Sequence, residues 1–116
     1  LGHIAQKGDR QAINELKARF EDKDENVRLA AVEAFGRLAD TAQGDRHVMA
    51  ALTARLDDAV ENVRRATARV LADVAEIGDQ EIIKALSSHR EDKDEDVKRS
   101  VVRALLRLTA VSAKAL

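Results

Sequence analysis

The chain has 116 residues, 45% of them apolar but only 2% aromatic, which bounds it to one compact domain or a short array of repeats whose core relies on aliphatic side chains and alanine. Charged residues make up 35% with a formal net charge of −1, and a chain in which neither sign dominates is not a general binder of nucleic acids or membrane surfaces. The absence of Cys excludes a disulfide framework, a thiolate metal site and a cysteine nucleophile, and no apolar run approaches the roughly 18 residues of a membrane helix.

Two short phrases recur along the chain and indicate an internal repeat. The first is Gly-Asp with a Leu eight residues after the Gly, beginning at Gly8, Gly44 and Gly78. The second is "NVR" at 26–28 and 62–64, and "DVK" at 96–98. Both phrases step by 36 and then by 34 residues, a period typical of solenoid proteins. The period divides the chain into the end of a preceding repeat, three repeats and a tail, at 1–7, 8–43, 44–77, 78–111 and 112–116.

Each repeat is predicted to form two helices. First helices are expected at 10–20, 46–57 and 80–90, and second helices at 25–39, 61–75 and 95–109. In each Gly-Asp pair, Gly permits a left-handed turn that closes the previous helix, and Asp accepts hydrogen bonds from the free amides of the new helix. Apolar residues spaced by three and four, with no Pro and no strand-like alternation, predict an all-α fold.

The starts of the second helices differ between repeats. Asp24 and Asp94 stand three residues before the Val of the second phrase, where an N-cap is expected, whereas Val60 occupies that position in the middle repeat. We expect Asp58 to supply the missing cap, or the start of that helix to be weaker. The two-residue difference in period is assigned to a longer surface loop, "DTAQ" at 40–43.

The two ends of the chain indicate a longer array, or ends that pair with something else. "LGHI" at 1–4 aligns with "FGRL" at 35–38 and predicts the tail of a second helix, while "AVSAKAL" at 110–116 lacks the Gly-Asp phrase and a strongly polar closing face. Solenoids normally need polar capping units at both ends. We therefore expect a fragment of a longer array or an end-to-end homodimer.

The repeated pattern resembles HEAT repeats. Its parts are Gly-Asp, a Leu-bearing helix, an acidic turn, Val-Arg and an Ala-rich apolar helix ending in "FGRLAD", most similar to the short HEAT-like repeats of phycobilin-lyase subunits and bacterial scaffold proteins. The resemblance covers residues 1–110 and implies an α-solenoid, or alpha-alpha superhelix, of about three two-helix repeats. It also implies that second helices line the concave side, where partners usually bind. The Trp, Tyr and Pro marks of tetratricopeptide repeats and the "TPLH" of ankyrin repeats are absent.

Charged residues at equivalent repeat positions predict a structural ladder. One position holds Arg28, Arg64 and Lys98, and the acidic turns before it contain Asp22, Asp58 and Asp92. We expect each cation to pair with an acidic turn residue of its own or the adjacent repeat; a cationic column facing a ligand is the other interpretation. Helix capping and the helix dipole explain most of the carboxylates in these turns. The turns lack the Gly and the final Glu of an EF-hand loop.

Five arginines form the candidate binding surface. They lie off the apolar stripes of the second helices, and those on one helix are four residues apart and share a face. They are Arg65, Arg69, Arg99, Arg103 and Arg107. The first repeat has Leu29, Glu33 and Arg37 at equivalent positions, so the repeat does not impose the basic character. Arginine suits recognition of carboxylates and phosphates; contact with a partner and ordinary solvation beside neighbouring carboxylates both remain open.

No arrangement of residues predicts catalysis, a metal site or a bound cofactor. His3, His47 and His89 occupy three different repeat positions and lie in no metal-binding motif, so we expect structural histidines. No Ser or Thr has a His at a converging helical spacing. Without Trp or Tyr for base stacking, a nucleic-acid site is not predicted.

The resulting hypothesis is a non-enzymatic interaction module in the cytoplasm, which binds an acidic segment of a protein partner across the second-helix face. The alternative, implied by the resemblance, is a subunit or fragment of a bilin (tetrapyrrole) lyase or a chaperone-like protein, in which arginines pair with propionates. The shortage of aromatic residues for a ring pocket argues against this alternative.

Overall fold

Six α-helices make up the computed structural model, which describes residues 2–37 and 46–109, with side chains of the first helix from residue 10 onward. The helices are α1 (Gly2–Phe20), α2 (Glu25–Arg37), α3 (Arg46–Thr53), α4 (Glu61–Val74), α5 (Gln80–Ser87) and α6 (Glu95–Leu108). These residues contain no strand, which confirms the all-α prediction. The predicted loop at 40–43 and the tail at 112–116 lie outside the described residues.

The helices form two layers. The second helices α2, α4 and α6 pack side by side in chain order, and α1 and α5 pack on α2 and α6. The molecule measures 44 × 37 × 18 Å. A thickness of 18 Å fits two layers of helices, each about 10 Å across. The arrangement is that of an α-solenoid, in which α2 and α4 each contact the second helix of the next repeat.

The turn predicted at Gly8 and Asp9 is wrong, because α1 runs through both residues without a break. A Gly inside a helix costs only about 1 kcal/mol relative to Ala. A helix can therefore continue through Gly8, and the first predicted repeat boundary falls within α1.

Gly78 forms the left-handed turn that the sequence predicted. Its φ is +88°, and its amide donates to the Leu108 carbonyl at 2.8 Å, which ties the turn to the end of α6. Asp79 then caps α5 by accepting from the Ile82 amide at 3.1 Å. Asp94 caps α6 in the same way, by accepting from the Asp96 and Val97 amides.

The middle repeat has no such cap. Val60 occupies the N-cap position of α4 and provides no side-chain hydrogen bond. Asp58, the expected substitute, accepts from the Val60 amide at 2.9 Å and so shapes the turn before the helix instead of capping it. The expectation that Asp58 replaces the missing cap is therefore wrong, and the start of α4 has no side-chain cap.

The first helices of the second and third repeats are shorter than predicted. After Thr53 the chain continues as a 3-10 turn over Ala54–Asp57, and after Ser87 it continues as hydrogen-bonded turns. The Thr53 hydroxyl donates to the Met49 carbonyl at 2.6 Å. Such back-bonding by Ser and Thr competes with regular helix geometry.

A continuous apolar core runs between the two layers. Its largest fully buried members are Phe20, Phe35, Leu52, Leu56, Leu71, Leu86 and Leu108. Phe20 and Phe35 meet edge to face, with ring centroids 6.4 Å apart, so both aromatic residues pack in the core of the first repeat. Where α2 and α4 cross, a Cβ added to Gly36 would lie 3.3 Å from Val70 Cγ2. This glycine allows the close approach of neighbouring second helices.

Candidate functional site

A bidentate ion pair joins the first repeat to the second. Arg28 on α2 donates from Nε to Asp58 Oδ2 at 2.7 Å and from Nη2 to Asp58 Oδ1 at 3.0 Å. Its Nη1 donates to the backbone carbonyl of Asp22 at 2.8 Å, in the turn of its own repeat. One guanidinium therefore holds two consecutive turns in fixed register.

The same arrangement joins the second repeat to the third. Arg64 on α4 donates from Nε and Nη2 to the two carboxylate oxygens of Asp92, at 2.9 and 3.1 Å. Its Nη1 donates to the Asp58 carbonyl at 2.8 Å. Both side chains of this pair are almost fully buried, with 8% and 7% of their surface exposed. Bidentate pairs of this kind add geometric specificity as well as energy.

The pKa values of both aspartates are lowered. Burial by itself would raise the pKa of Asp58, but the hydrogen bonds from Arg28 and the Val60 amide bring it below its usual value. Burial of Asp92 is likewise outweighed, here by hydrogen bonds from Arg64 and the Asp94 amide, so the Asp92 pKa is also lowered. The two carboxylates are therefore held in their charged form.

The outermost positions of the ladder lack this pairing. The Asp22 carboxylate accepts from the Asp24 amide at 2.8 Å, and no cation of the described residues lies within ion-pair distance of it. Lys98, which corresponds to Arg28 and Arg64, pairs with Glu95 of its own helix at 3.0 Å. The ladder thus ends in a carboxylate on one side of the array and a lysine on the other.

His89 adds a contact that the sequence did not reveal. Its Nε2 lies 2.9 Å from Asp57 Oδ1, and its Nδ1 lies 4.0 Å from Asp92 Oδ2. The imidazole is half-buried and connects its own repeat, the third, to the 3-10 turn of the second repeat. His47 is exposed on α3, and the side chain of His3 lies outside the described residues.

The candidate arginine surface divides into two parts. Arg65 on α4 and Arg99 on α6 each lie 3.5 Å from Asp96, which they share. The other three arginines are exposed and form no ion pair with any described residue; they are Arg69, Arg103 and Arg107. Two of the five predicted residues are thus partly neutralised by one carboxylate, and three keep their donors open to solvent.

A cleft of about 720 Å³ opens on the other layer, between α3 and α5. Apolar side chains such as Met49, Leu56 and Ile82 form part of its lining. Acidic side chains outnumber basic ones in its lining, which includes Asp57, Glu76, Asp79 and Glu81 together with Arg46 and His89. No sequence signal indicated this cleft, because it depends on the spacing between two short first helices rather than on a motif.

The described residues contain no group of three or more His, Asp or Glu side chains placed to hold a metal ion. Within the same residues, no helix is both long and apolar enough to cross a membrane.

Comparison with known proteins gives one match. A family model described as HEAT repeats matches residues 1–72 and 49–116, which together span the whole chain. A search of curated proteins found no match. A search of solved structures also found none.

Proposed function

The chain belongs to the HEAT-repeat family, and we propose that it is a non-enzymatic scaffold that binds an acidic segment of a protein partner on its second-helix face. HEAT repeats generally mediate protein–protein interaction. Membership of the family does not indicate which face binds or which charge the partner carries. The arginines on the second-helix face support both of these parts of the proposal.

The observation that carries the proposal is the open set of guanidinium groups. Arg69, Arg103 and Arg107 are exposed on α4 and α6 without an ion pair among the described residues. A guanidinium presents its donors in a fixed planar fork that matches a carboxylate. Three such groups on adjacent, packed helices offer an acidic chain several ion pairs at once.

The ladder supports the same proposal by holding α4 and α6 rigidly together. Because Arg64 and Asp92 fix the register of the two repeats, the helices that carry the arginines are held in place before any partner arrives. Pre-organised groups lose less conformational entropy on binding. Complementary charge also accelerates encounter with an acidic partner.

A labelled poly-glutamate peptide provides a direct probe of the surface. Its fluorescence anisotropy is measured against the wild-type chain and against a triple variant with Arg69→Glu, Arg103→Glu and Arg107→Glu. We expect the variant to bind at least about tenfold more weakly, which is about 1.4 kcal/mol. Binding to wild type should weaken as salt is raised, since these charges are exposed.

A matched control separates this surface from overall charge. The variant with Arg10→Glu, Lys23→Glu and Arg90→Glu carries the same change in net charge at exposed positions outside the second helices. It should bind the peptide much more tightly than the first triple variant. Equal loss in both variants, with helicity retained, would show that the peptide responds to net charge alone and would refute the proposed site.

The bilin-lyase alternative makes a different prediction. The cleft between α3 and α5 is lined by Asp57, Glu76, Asp79 and Glu81, which repel the propionates of a tetrapyrrole. A bilin would therefore have to use the arginine surface, which has no aromatic platform among its residues. A shifted visible absorption band after mixing with a bilin supports this alternative, and an unchanged spectrum argues against it.

A further inference from the structure

Two interfaces of the same kind occur within this chain, between the first and second repeats and between the second and third. On α2, Arg28 contacts Asp58 and Gly36 lies against Val70. Val32, midway between Arg28 and Gly36, is fully buried. Because residues four apart share a helix face, these three positions form the surface that each second helix turns toward the next repeat. We define it as the forward face.

The forward face of α6 is exposed in the part of the chain that the structure describes. Its members are Lys98, Val102 and Leu106, which correspond to 28, 32 and 36 in the first repeat and to 64, 68 and 72 in the second. Val102 is 44% exposed and Leu106 67%, whereas the equivalent Val32 and Ala68 are both 0% exposed. The third repeat therefore presents to solvent the same surface that the first two repeats bury.

The first repeat exposes the complementary surface, which is the face that a second helix turns toward the preceding repeat. Val70, which contacts Gly36, identifies the backward face, and its equivalents are Ala34 and Ala104. Ala30 is exposed on α2, although its equivalents Ala66 and Ser100 are 3% and 9% exposed. In the turn before α2, Asp22 holds the position at which Asp58 and Asp92 receive their arginines.

We infer that a second copy of this chain stacks head to tail, with the forward face of the third repeat of one copy on the backward face of the first repeat of the next. Lys98 then pairs with Asp22 of the neighbouring copy, as Arg28 pairs with Asp58 and Arg64 with Asp92 within the chain. Asp22 has no cation among the described residues within ion-pair distance, and Lys98 has only the exposed Glu95 of its own helix as a described partner. Opposite charges on the two faces and the two equivalent interfaces within the chain both favour a second copy of this chain at this surface.

Side-chain volumes agree with this stacking. Within the chain the crossing pairs Gly36 with Val70, a small residue against a larger one. In the stacked copies Leu106 comes against Ala34, so the size order is reversed. The small side chain of Ala34 leaves room for part of Leu106, and Val102 is buried as Val32 is.

Charges beside the contact form one pair of opposite sign and one pair of like sign. Glu33 occupies in the first repeat the position held by Arg69 and Arg103, so stacking places opposite charges at neighbouring positions of the two copies. Arg107 would neighbour Arg37 of the next copy, and both are exposed, so solvent screens their repulsion.

A head-to-tail contact uses two different surfaces and does not close on itself after two copies. Such heterologous contacts produce open chains, or rings when the rotation closes. We therefore expect the average mass in sedimentation equilibrium to rise with concentration, from micromolar to millimolar, and to pass beyond the dimer. A two-fold dimer that grows no further would overturn the inference, as would a monomer over the whole range.

Charge exchange tests the contact itself. Asp22→Lys places a lysine against Lys98, and Lys98→Asp places an aspartate against Asp22, so each variant alone should remain monomeric. In an equimolar mixture, copies of the two variants can alternate along the stack. Opposite charges then meet at both kinds of junction, and the association of wild type should be recovered. Failure of the mixture to associate, with both variants folded by circular dichroism, would refute the pairing.

A matched apolar pair completes the test. Leu106→Glu lies on the forward face at an exposed position and should abolish association, with no recovery in any mixture. Ile77→Glu changes an apolar residue that is 47% exposed in the turn before α5, outside the proposed contact, and should leave association unchanged. Equal behaviour of these two variants would place the contact elsewhere and overturn the inference.

Discussion

Arg64 and Asp92 lie in consecutive repeats, 28 residues apart, and the guanidinium of the first donates to both carboxylate oxygens of the second at 2.9 and 3.1 Å. The same relationship between Arg28 and Asp58 means that one side chain in α2 and one in α4 fix the position of the repeat that follows. The stability of the array should therefore depend on these pairs more than on any exposed ion pair.

Arg64→Ala leaves the buried Asp92 carboxylate without its partner. Breaking a buried ion pair on one side costs about 3–5 kcal/mol, and we expect a loss of that order in the free energy of unfolding measured with urea. Lys98→Ala removes a partly exposed cation and should cost less than about 1 kcal/mol. Similar losses in the two variants would show that the buried pair is not a major source of stability.

Acid should weaken the array through Asp58 and Asp92, whose pKa values are lowered in the folded state. A lowered folded-state pKa contributes stability that is fully present above the unfolded pKa of about 3.9. That contribution is lost as the pH falls through the folded-state value. The free energy of unfolding should accordingly fall steeply below about pH 4.

Asp58→Asn should flatten this pH dependence while lowering stability at neutral pH. Asp73→Asn is its control, because Asp73 is exposed and forms no ion pair with a described residue; it should retain the slope of wild type. If Asp58→Asn also retained that slope, the acid sensitivity would arise from other carboxylates.

Gly8 and Gly78 open the same repeated phrase, yet replacing each with Ala should have opposite effects. Gly78 has a φ of +88° with no atom within 4 Å of an added Cβ, so Ala would suffer only backbone strain, about 1–2 kcal/mol. Gly8 lies inside α1, where Ala gains about 0.5–1 kcal/mol in helix stability. Thermal unfolding of both variants, with Tm lower for Gly78→Ala and higher for Gly8→Ala, is the measurement. A lower Tm for Gly8→Ala would indicate a turn at that position.

Gly36→Leu should separate α2 from α4. Even a Cβ at Gly36 would lie 3.3 Å from Val70 Cγ2, so a full side chain overpacks the crossing, at a cost of about 1–3 kcal/mol. Adding Val70→Ala should recover part of that loss, because it removes the opposing methyl groups. A double variant no more stable than Gly36→Leu alone would place the strain elsewhere.

The repeat anchors predicted much of the helix layout because they mark local events. Gly78 turns the chain and Asp79 and Asp94 cap the helices that follow, and each of these interactions spans only a few residues. The prediction at Gly8 failed because the same two letters do not break a helix when continuing it is less costly. The anchors alone therefore do not distinguish a turn from a continuing helix.

The candidate surface was only partly predictable for a related reason. Spacing by four placed Arg65 and Arg69 on one face of α4, and Arg99, Arg103 and Arg107 on one face of α6. It did not show that Asp96 lies between Arg65 and Arg99 and partly neutralises both. That contact requires the distance between two helices, which no property of either helix specifies.

The amino-acid sequence by itself determined the all-α class, the period and the positions of the second helices, because hydrophobic spacing, caps and turn residues act over short stretches of chain. Tertiary structure alone decided that Arg28 reaches Asp58 rather than a carboxylate of its own repeat, that a cleft opens between α3 and α5, and that no other described residue covers the faces of Asp22 and Lys98. Those outcomes depend on how far one helix lies from another, and that distance is set by packing across the whole core.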